Sequence, residues 1–251
     1  MSLQDKVAIV TGSSSGIGAA IAIKFAEEGA KVTIVGRNKE KLNNVAKKLG
    51  DHLMLAADVT KEEDAKRIIN ETVKRFGKLD ILVNNAGAAT IAKFDDEKLM
   101  TVFDQVMNIN VRSAVYLTHL ARPYLIKTKG NVVNISGISG MKPQVINGFL
   151  SVSVSKAALD HFTRAVALEL SPHGIRVNAV CPGPVYSDIF ENLGVAKEEE
   201  NGFYESMRQS TALKRVSDPV EIADLVIFLA SDKAKSITGT VSVSDNGFLL
   251  Q

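Results

Sequence analysis

Six short runs, five of them rich in β-branched residues, set the frame of this chain: VAIVT at 7–11, KVTIVG at 31–36, HLMLAA at 52–57, ILVNN at 81–85, NVVNIS at 131–136 and IRVNAV at 175–180. Each reads as a strand. Between them lie stretches such as 17–28, 39–49 and 62–76, whose apolar residues recur every three or four positions, the period of an amphipathic helix. Apolar strands alternating with helices dictate an α/β fold with a parallel sheet covered on both faces, because a crossover helix must return the chain before the next parallel strand can begin. No Pro/Gly/Ser-rich linker interrupts the rhythm, so one domain over 1–251 is expected. The least regular segment, 186–218, follows the sixth run and is expected to form a substrate loop or lid.

The composition sets limits on function. With 45% hydrophobic and 23% charged residues among 251, the chain can bury a sizeable core. Its net charge of +2 is scattered, without the basic block of a nucleic-acid or membrane-surface protein. A single cysteine, Cys181, allows no internal disulfide and no cysteine metal cluster, and is expected to be a small buried residue. No signal-peptide pattern and no apolar run of membrane-spanning length is visible, so the cytoplasm is the expected compartment.

The first strand runs into TGSSSGIG, where Gly12, Ser14, Ser15, Gly16, Ile17 and Gly18 lie between a strand and a helix. Glycines there let the backbone approach a pyrophosphate, and the helix N-terminus offers unpaired N–H groups and a favourable dipole. The second strand ends in Gly36 and Arg37, beside the expected adenosine ribose. An acidic residue at that place would hydrogen-bond a 2′-hydroxyl; arginine suits a 2′-phosphate instead. NADP(H) is therefore the expected cofactor, with NAD(H) the alternative.

The ordered motifs TGSSSGIG, NNAG at 84–87, NINV at 108–111, SK at 155–156 and CPGPV at 181–185 resemble the short-chain dehydrogenase/reductase family over nearly the whole chain. The resemblance implies a Rossmann-like, doubly wound parallel sheet of about seven strands, a nicotinamide dinucleotide across the strand ends, and a homodimer or homotetramer. It further implies that Asp58 and Val59 flank the adenine, that Asn85, Ala86 and Gly87 line the cofactor, and that Pro182, Gly183, Val185 and Ser187 hold its nicotinamide end.

Members of that family reduce carbonyls or oxidise alcohols with an Asn–Ser–Tyr–Lys set, its tyrosine four residues before its lysine. Asn110 and Lys156 match two members of the set. Val152 stands at the tyrosine position and Gly137 at the serine position. Ser136 and Ser139 are neighbouring hydroxyls, and the loop before 152 is about two residues longer than the family pattern suggests. Lys156 could hold the nicotinamide ribose without any proton transfer, and Asn110 could serve a helix kink. None of the four histidines is placed as a substitute acid: a residue nine positions beyond Val152, such as His161, lies about 13 Å along a helix. Three readings follow: an NADP(H)-binding relative whose oxidoreductase activity is lost or very low, an active enzyme taking its proton from water, Tyr186 or Tyr204, or a cofactor-independent binding protein. The small-molecule ligand is not named by the sequence.

Overall fold

The computed structural model describes residues 3–143, 147–187 and 197–251, with the side chains of 197–199 left aside. The strands are β1 Val7–Thr11, β2 Lys31–Gly36, β3 His52–Ala56, β4 Ile81–Asn84, β5 Asn131–Ile135, β6 Arg176–Pro182 and β7 Val241–Ser244. They form one sheet in the order β3-β2-β1-β4-β5-β6-β7, and every pair is parallel. This is the expected Rossmann-like arrangement. The first six strands coincide with the six runs to within two residues at either end.

Burial explains why those runs are nearly uninterrupted in apolar character: all five residues of β1 are buried, since helices cover both sides of the sheet. Ala8 and Val10 face one layer, packing with Ile21 and Phe25 of α1 (Gly16–Glu27), Leu42 of α2 (Lys39–Ala46) and the apolar face of the Pro219–Ala230 helix. Ile9 faces the other, with Ile68 of α3 (Glu62–Phe76), Leu117 of α5 (Ser113–Thr128) and Leu170 of α6 (Leu150–Leu170). Helix α3 opens on Glu62, Glu63 and Asp64 and closes on Lys74 and Arg75, complementing its dipole, with Gly77 left-handed just beyond.

Helix α4 (Leu99–Met107) runs into α5 through a single π-turn, Asn108–Arg112, which carries Asn110. Within the segment expected to be irregular, Lys197–Gln209 is a helix, α7, followed by α8, Pro219–Ala230, whose start is fixed by a capping box between Asp218 and Glu221. The centre of the expected lid, 188–196, lies outside the described residues. Strand order reverses direction between β1 and β4, so the crevice beyond their C-terminal ends is the place where such a sheet admits a ligand.

Candidate active site

The glycine turn after β1 is built for contact with almost no clearance. Gly12 has φ of +65°, and a Cβ on it would lie 2.8 Å from the Ala86 Cα. A Cβ on Gly18 would stand 2.3 Å from the Gly12 carbonyl oxygen and 2.4 Å from Asn85 Nδ2. The two loops beyond β1 and β4 are thereby locked together. Asn85 Nδ2 donates to the Thr11 and Gly12 carbonyls at 2.9 and 3.1 Å, while Thr11 Oγ1 accepts the Asn85 and Ala86 amides, each at 3.0 Å. Ser13 is fully buried and exchanges hydrogen bonds with Val35 of β2, so it braces the turn. Ser15, at the N-cap of α1, makes no side-chain capping bond, leaving the first-turn amides of Gly16, Ile17 and Gly18 without a side-chain acceptor. Tight clearance, uncapped amides and a positive dipole end fit a pyrophosphate.

At the other side of β1, Asp58 follows β3. Burial works to raise its pKa, but hydrogen bonds from the Thr60 hydroxyl and amide, with the charges of Arg37 and Lys61, outweigh that and hold the carboxyl below its ordinary range. Arg37 is exposed at the strand end, and Val59 is buried beside Asp58. A cation and an anchored carboxylate therefore frame the end of the crevice beyond β2 and β3.

The opposite end is set by α6. Lys156 Nζ donates to the Ile135 carbonyl at 2.9 Å, directly at the end of β5. Burial lowers its pKa to about 8, with Cys181 and Asp160 pulling in the opposite direction. Asp160, one turn further along α6, is pushed up chiefly by burial, and its carboxylate oxygens lie 3.5 and 3.8 Å from Cys181 Sγ. The Cys181 thiol is itself raised to about 12 by burial, so it stays protonated.

Asn110 is 98% buried and fully engaged. Its Oδ1 accepts the Ala88 amide at 2.8 Å, and its Nδ2 donates to the Ala88 carbonyl at 3.1 Å and to Ser155 Oγ at 2.9 Å. Ser155 in turn donates to the Val152 carbonyl at 2.7 Å. The π-turn thus aims Asn110 to tie the loop after β4 to α6. Val152 is buried with Ala92, Val102 and Val106, against which Ala89, Leu99 and Phe149 also pack. Gly137 is extended, with φ of 175°, a conformation any residue adopts, and a Cβ there would find its nearest neighbours at 3.8 Å. Its glycine is not demanded by backbone or space.

The loop after β6 closes the crevice. Val185 bridges to Ser217, and a Cβ on Gly16 would lie 3.5 Å from Ser187 Cβ, so the 185–187 segment reaches the glycine turn after β1. Tyr204 of α7 holds it there: its hydroxyl donates to the Ser187 carbonyl and accepts the Ser187 amide, both at 3.0 Å. Among the described residues there is no cluster of metal-ligating side chains and no helix long and apolar enough to cross a membrane.

A family model described as enoyl-(acyl carrier protein) reductase matches residues 12–249. The chain belongs to the short-chain dehydrogenase/reductase family. Curated relatives of this dehydrogenase/reductase include the L-fucose dehydrogenase of Bos taurus, 36% identical over 94% of this chain and 86% of that protein. Another is the glucose 1-dehydrogenase of Gluconobacter oxydans, 36% identical over 98% and 92%. Among solved structures, a Caenorhabditis elegans short-chain dehydrogenase/reductase of unknown function, determined with cofactor, superposes with a TM-score of 0.93 at 36% identity, covering 98% of this chain and 96% of that one. A 7α-hydroxysteroid dehydrogenase complexed with NADH and 7-oxo glycochenodeoxycholic acid superposes with a TM-score of 0.89 at 31% identity, covering 98% and 95%.

In this dehydrogenase/reductase the residues singled out from the sequence gather on one rim. The Gly12–Gly18 turn, Asn85, Ala86 and Gly87 sit at the β1/β4 crevice, Arg37, Asp58 and Val59 beyond β2 and β3, and Pro182 to Ser187 beyond β6. Lys156 and Asn110 border the same rim, with Lys156 Nζ 3.8 Å from where a Gly87 Cβ would be. Tyr204 does come near the site, but as a brace for Ser187; Tyr186, half-exposed, has its ring 4.7 Å from that of Tyr204. Thr11, Ser155 and Asp160 were not singled out. Thr11 and Ser155 lie within quoted motifs, and Asp160 is four residues past Lys156, a spacing that places both on one helix face.

Proposed function

We propose that this chain is an NADP(H)-binding short-chain dehydrogenase/reductase in which Tyr-dependent carbonyl reduction and alcohol oxidation are lost or very low. The observation that carries the reading is Val152, buried among apolar side chains one turn before Lys156, at the position where the family resemblance calls for tyrosine. A bound nicotinamide would supply hydride. The residues of this chain would then have to deliver a proton and stabilise the oxygen on which charge develops. Valine can do neither, and Gly137 brings no hydroxyl. General acid–base help contributes roughly 10²–10⁴-fold and a single oxyanion hydrogen bond about 10²–10³-fold, although the two act as one unit and do not simply add.

The cofactor half supports retained binding. Gly12, Gly16 and Gly18 with Ser14, Ser15 and Ile17 would take the pyrophosphate. Arg37 would face the 2′-phosphate, Asp58 and Val59 the adenine, and Asn85, Ala86 and Gly87 the central sugar and phosphate. Lys156 would hold the nicotinamide ribose, with Pro182, Gly183, Val185 and Ser187 at the ring. We read residues 1–251 as one dinucleotide-binding domain with 186–218 as its substrate loop, assembling as a homodimer or homotetramer in the cytoplasm. An enzyme drawing its proton from Tyr204 is disfavoured by that hydroxyl's two bonds to Ser187. A cofactor-independent protein is disfavoured by the first-turn amides of α1, which Ser15 leaves without a side-chain cap.

Calorimetric titration with NADPH and NADH, followed by turnover assays on simple ketones and alcohols, tests the reading. Tighter NADPH binding with no turnover above buffer is expected. Brisk turnover by the unmodified chain would sink the loss of activity, and no response to either nucleotide would sink cofactor binding.

A further inference from the structure

With no phenol at 152, the groups left around Lys156 form a different kind of site. The ammonium gives one N–H to the Ile135 carbonyl, and no other protein acceptor among the described residues engages it. Asp160, one turn further along α6, takes hydrogen-bonding contacts from Cys181 Sγ, at 3.5 and 3.8 Å, and none from the ammonium. The neighbouring hydroxyls are mostly spent: Ser155 donates to Val152, Ser136 to the Lys156 carbonyl, and Tyr204 to Ser187. Ser139, like the buried Ser151 five residues before Lys156, has a hydroxyl that makes no hydrogen bond with the described residues. Its Oγ lies 3.8 Å from the position a Gly137 Cβ would take, and Lys156 Cγ and Cε lie 3.8 and 4.0 Å from that same position. An ammonium stem and an uncommitted hydroxyl therefore flank one open point.

One turn before Lys156 on α6 the same helix face turns apolar at Val152. Val152, Ala92, Val102 and Val106 form the buried wall, with Phe149 against it. The loops after β4 and β5 meet above, where the Ala92 amide donates to the Gly148 carbonyl at 3.1 Å, and this contact presents Ile91 and Leu150 partly exposed, at 41% and 42%. A ketone or alcohol offers only a partial charge to such a group of donors. A carboxylate offers two oxygens sharing a full negative charge, and hydrogen bonds to charged acceptors are roughly twice as strong as neutral ones. Lysine serves well as a compact point charge with rotatable donors. The apolar wall would hold a hydrocarbon body by the area it removes from water.

We propose that this site binds a monocarboxylate carried on an apolar body, its oxygens held by the Lys156 ammonium and the Ser139 hydroxyl, with Val152 forming part of the wall. This rests on the reading of a cofactor-binding chain without its acid. The ligand is bound and released unchanged; no covalent step is involved.

The test uses the full chain. NADP⁺ is titrated first by calorimetry, and octanoate and octan-1-ol are then titrated into the NADP⁺ complex. Octanoate is expected to bind at least about tenfold more tightly than octan-1-ol. K156Q, titrated at an NADP⁺ concentration shown by calorimetry to saturate that variant, should erase that preference, and S139A should weaken octanoate binding severalfold while leaving octan-1-ol unchanged. Equal affinity for the two compounds, or an octanoate preference that survives K156Q, would overturn the proposal. Should K156Q fail to fold by circular dichroism, S139A decides, and unchanged octanoate affinity in it counts against the proposal. Absence of NADP⁺ binding in the first titration would defeat the cofactor reading; normal NADP⁺ binding without an octanoate preference would defeat only the carboxylate assignment.

Discussion

Around Gly18 the chain leaves no room for a side chain, with the Gly12 carbonyl 2.3 Å from any added Cβ, whereas around Gly137 the nearest atoms stand back at 3.8 Å. Both are glycines on the same rim, and only one is required by its surroundings. Close clearance at the glycine turn is set by the Asn85 loop packed against it, and any drift there would have jammed that loop. Space at Gly137 can persist because no neighbouring atom depends on what fills it. Half of the crevice is thus constrained by its own packing, and the other half only by whatever chemistry it performs.

Substitutions can break that contrast at either end. The largest effect is expected from G18V: the added side chain must displace backbone at Gly12, so NADPH binding should vanish and the melting temperature should fall, read by calorimetry and thermal denaturation, with overpacking costing about 1–3 kcal/mol. N110A comes next. It strands the Ala88 amide and removes both bonds of Nδ2, a loss of roughly 1–3 kcal/mol in chemical denaturation, because buried partners are left unsatisfied. Y204F removes the hydroxyl that clasps Ser187 and should cost about 1 kcal/mol, with at most a small weakening of NADPH binding. G137S should be nearly silent in stability, within about 0.5 kcal/mol, since its extended backbone and 3.8 Å clearance accept a serine.

The pH dependence sharpens the same contrast. Lys156 sits at about 8 in the fold and at its ordinary, higher value when unfolded. Between these values the unfolded chain binds more protons than the folded one, so Lys156 makes stability rise with pH from about 8 upward. Any ligand held by its ammonium should weaken over that rise, as the folded lysine loses its charge. Denaturation and NADP⁺ titrations at pH 7 and pH 9 should therefore move in opposite directions, and K156Q should flatten both trends.

Central strands could be read directly because burial on both faces forces continuous apolar, β-branched runs, as in Val7–Thr11, while the edge strand His52–Ala56 was legible from its apolar Leu-Met-Leu run alone. The seventh, Val241–Ser244, is short and only half-buried at the sheet edge, so VSVS carries little apolar signal and was implied only by family resemblance. Helix Lys197–Gln209 was hidden by a charge-rich composition that also suits a surface loop. Gly12, Gly18, Asn110 and Lys156 were legible as motif positions. The work of Thr11 was not, because its hydroxyl acts on Asn85, 74 residues away, and no local pattern encodes that contact. Ser155 and Asp160 were overlooked for the same reason: their partners are Asn110 and Cys181, brought close only by the π-turn and by β6. Spacing revealed which groups share a helix face, and packing decided what each group touches.

The most direct measurement follows NADPH oxidation with a simple ketone for the unmodified chain and the G137S/V152Y double variant side by side, at cofactor concentrations shown by calorimetry to saturate both. A silent parent and a variant gaining about 10²-fold or more are the expected pair of results. A parent that already turns over briskly, at a rate the two substitutions leave unchanged, would contradict the claim that Val152 and Gly137 silence this site.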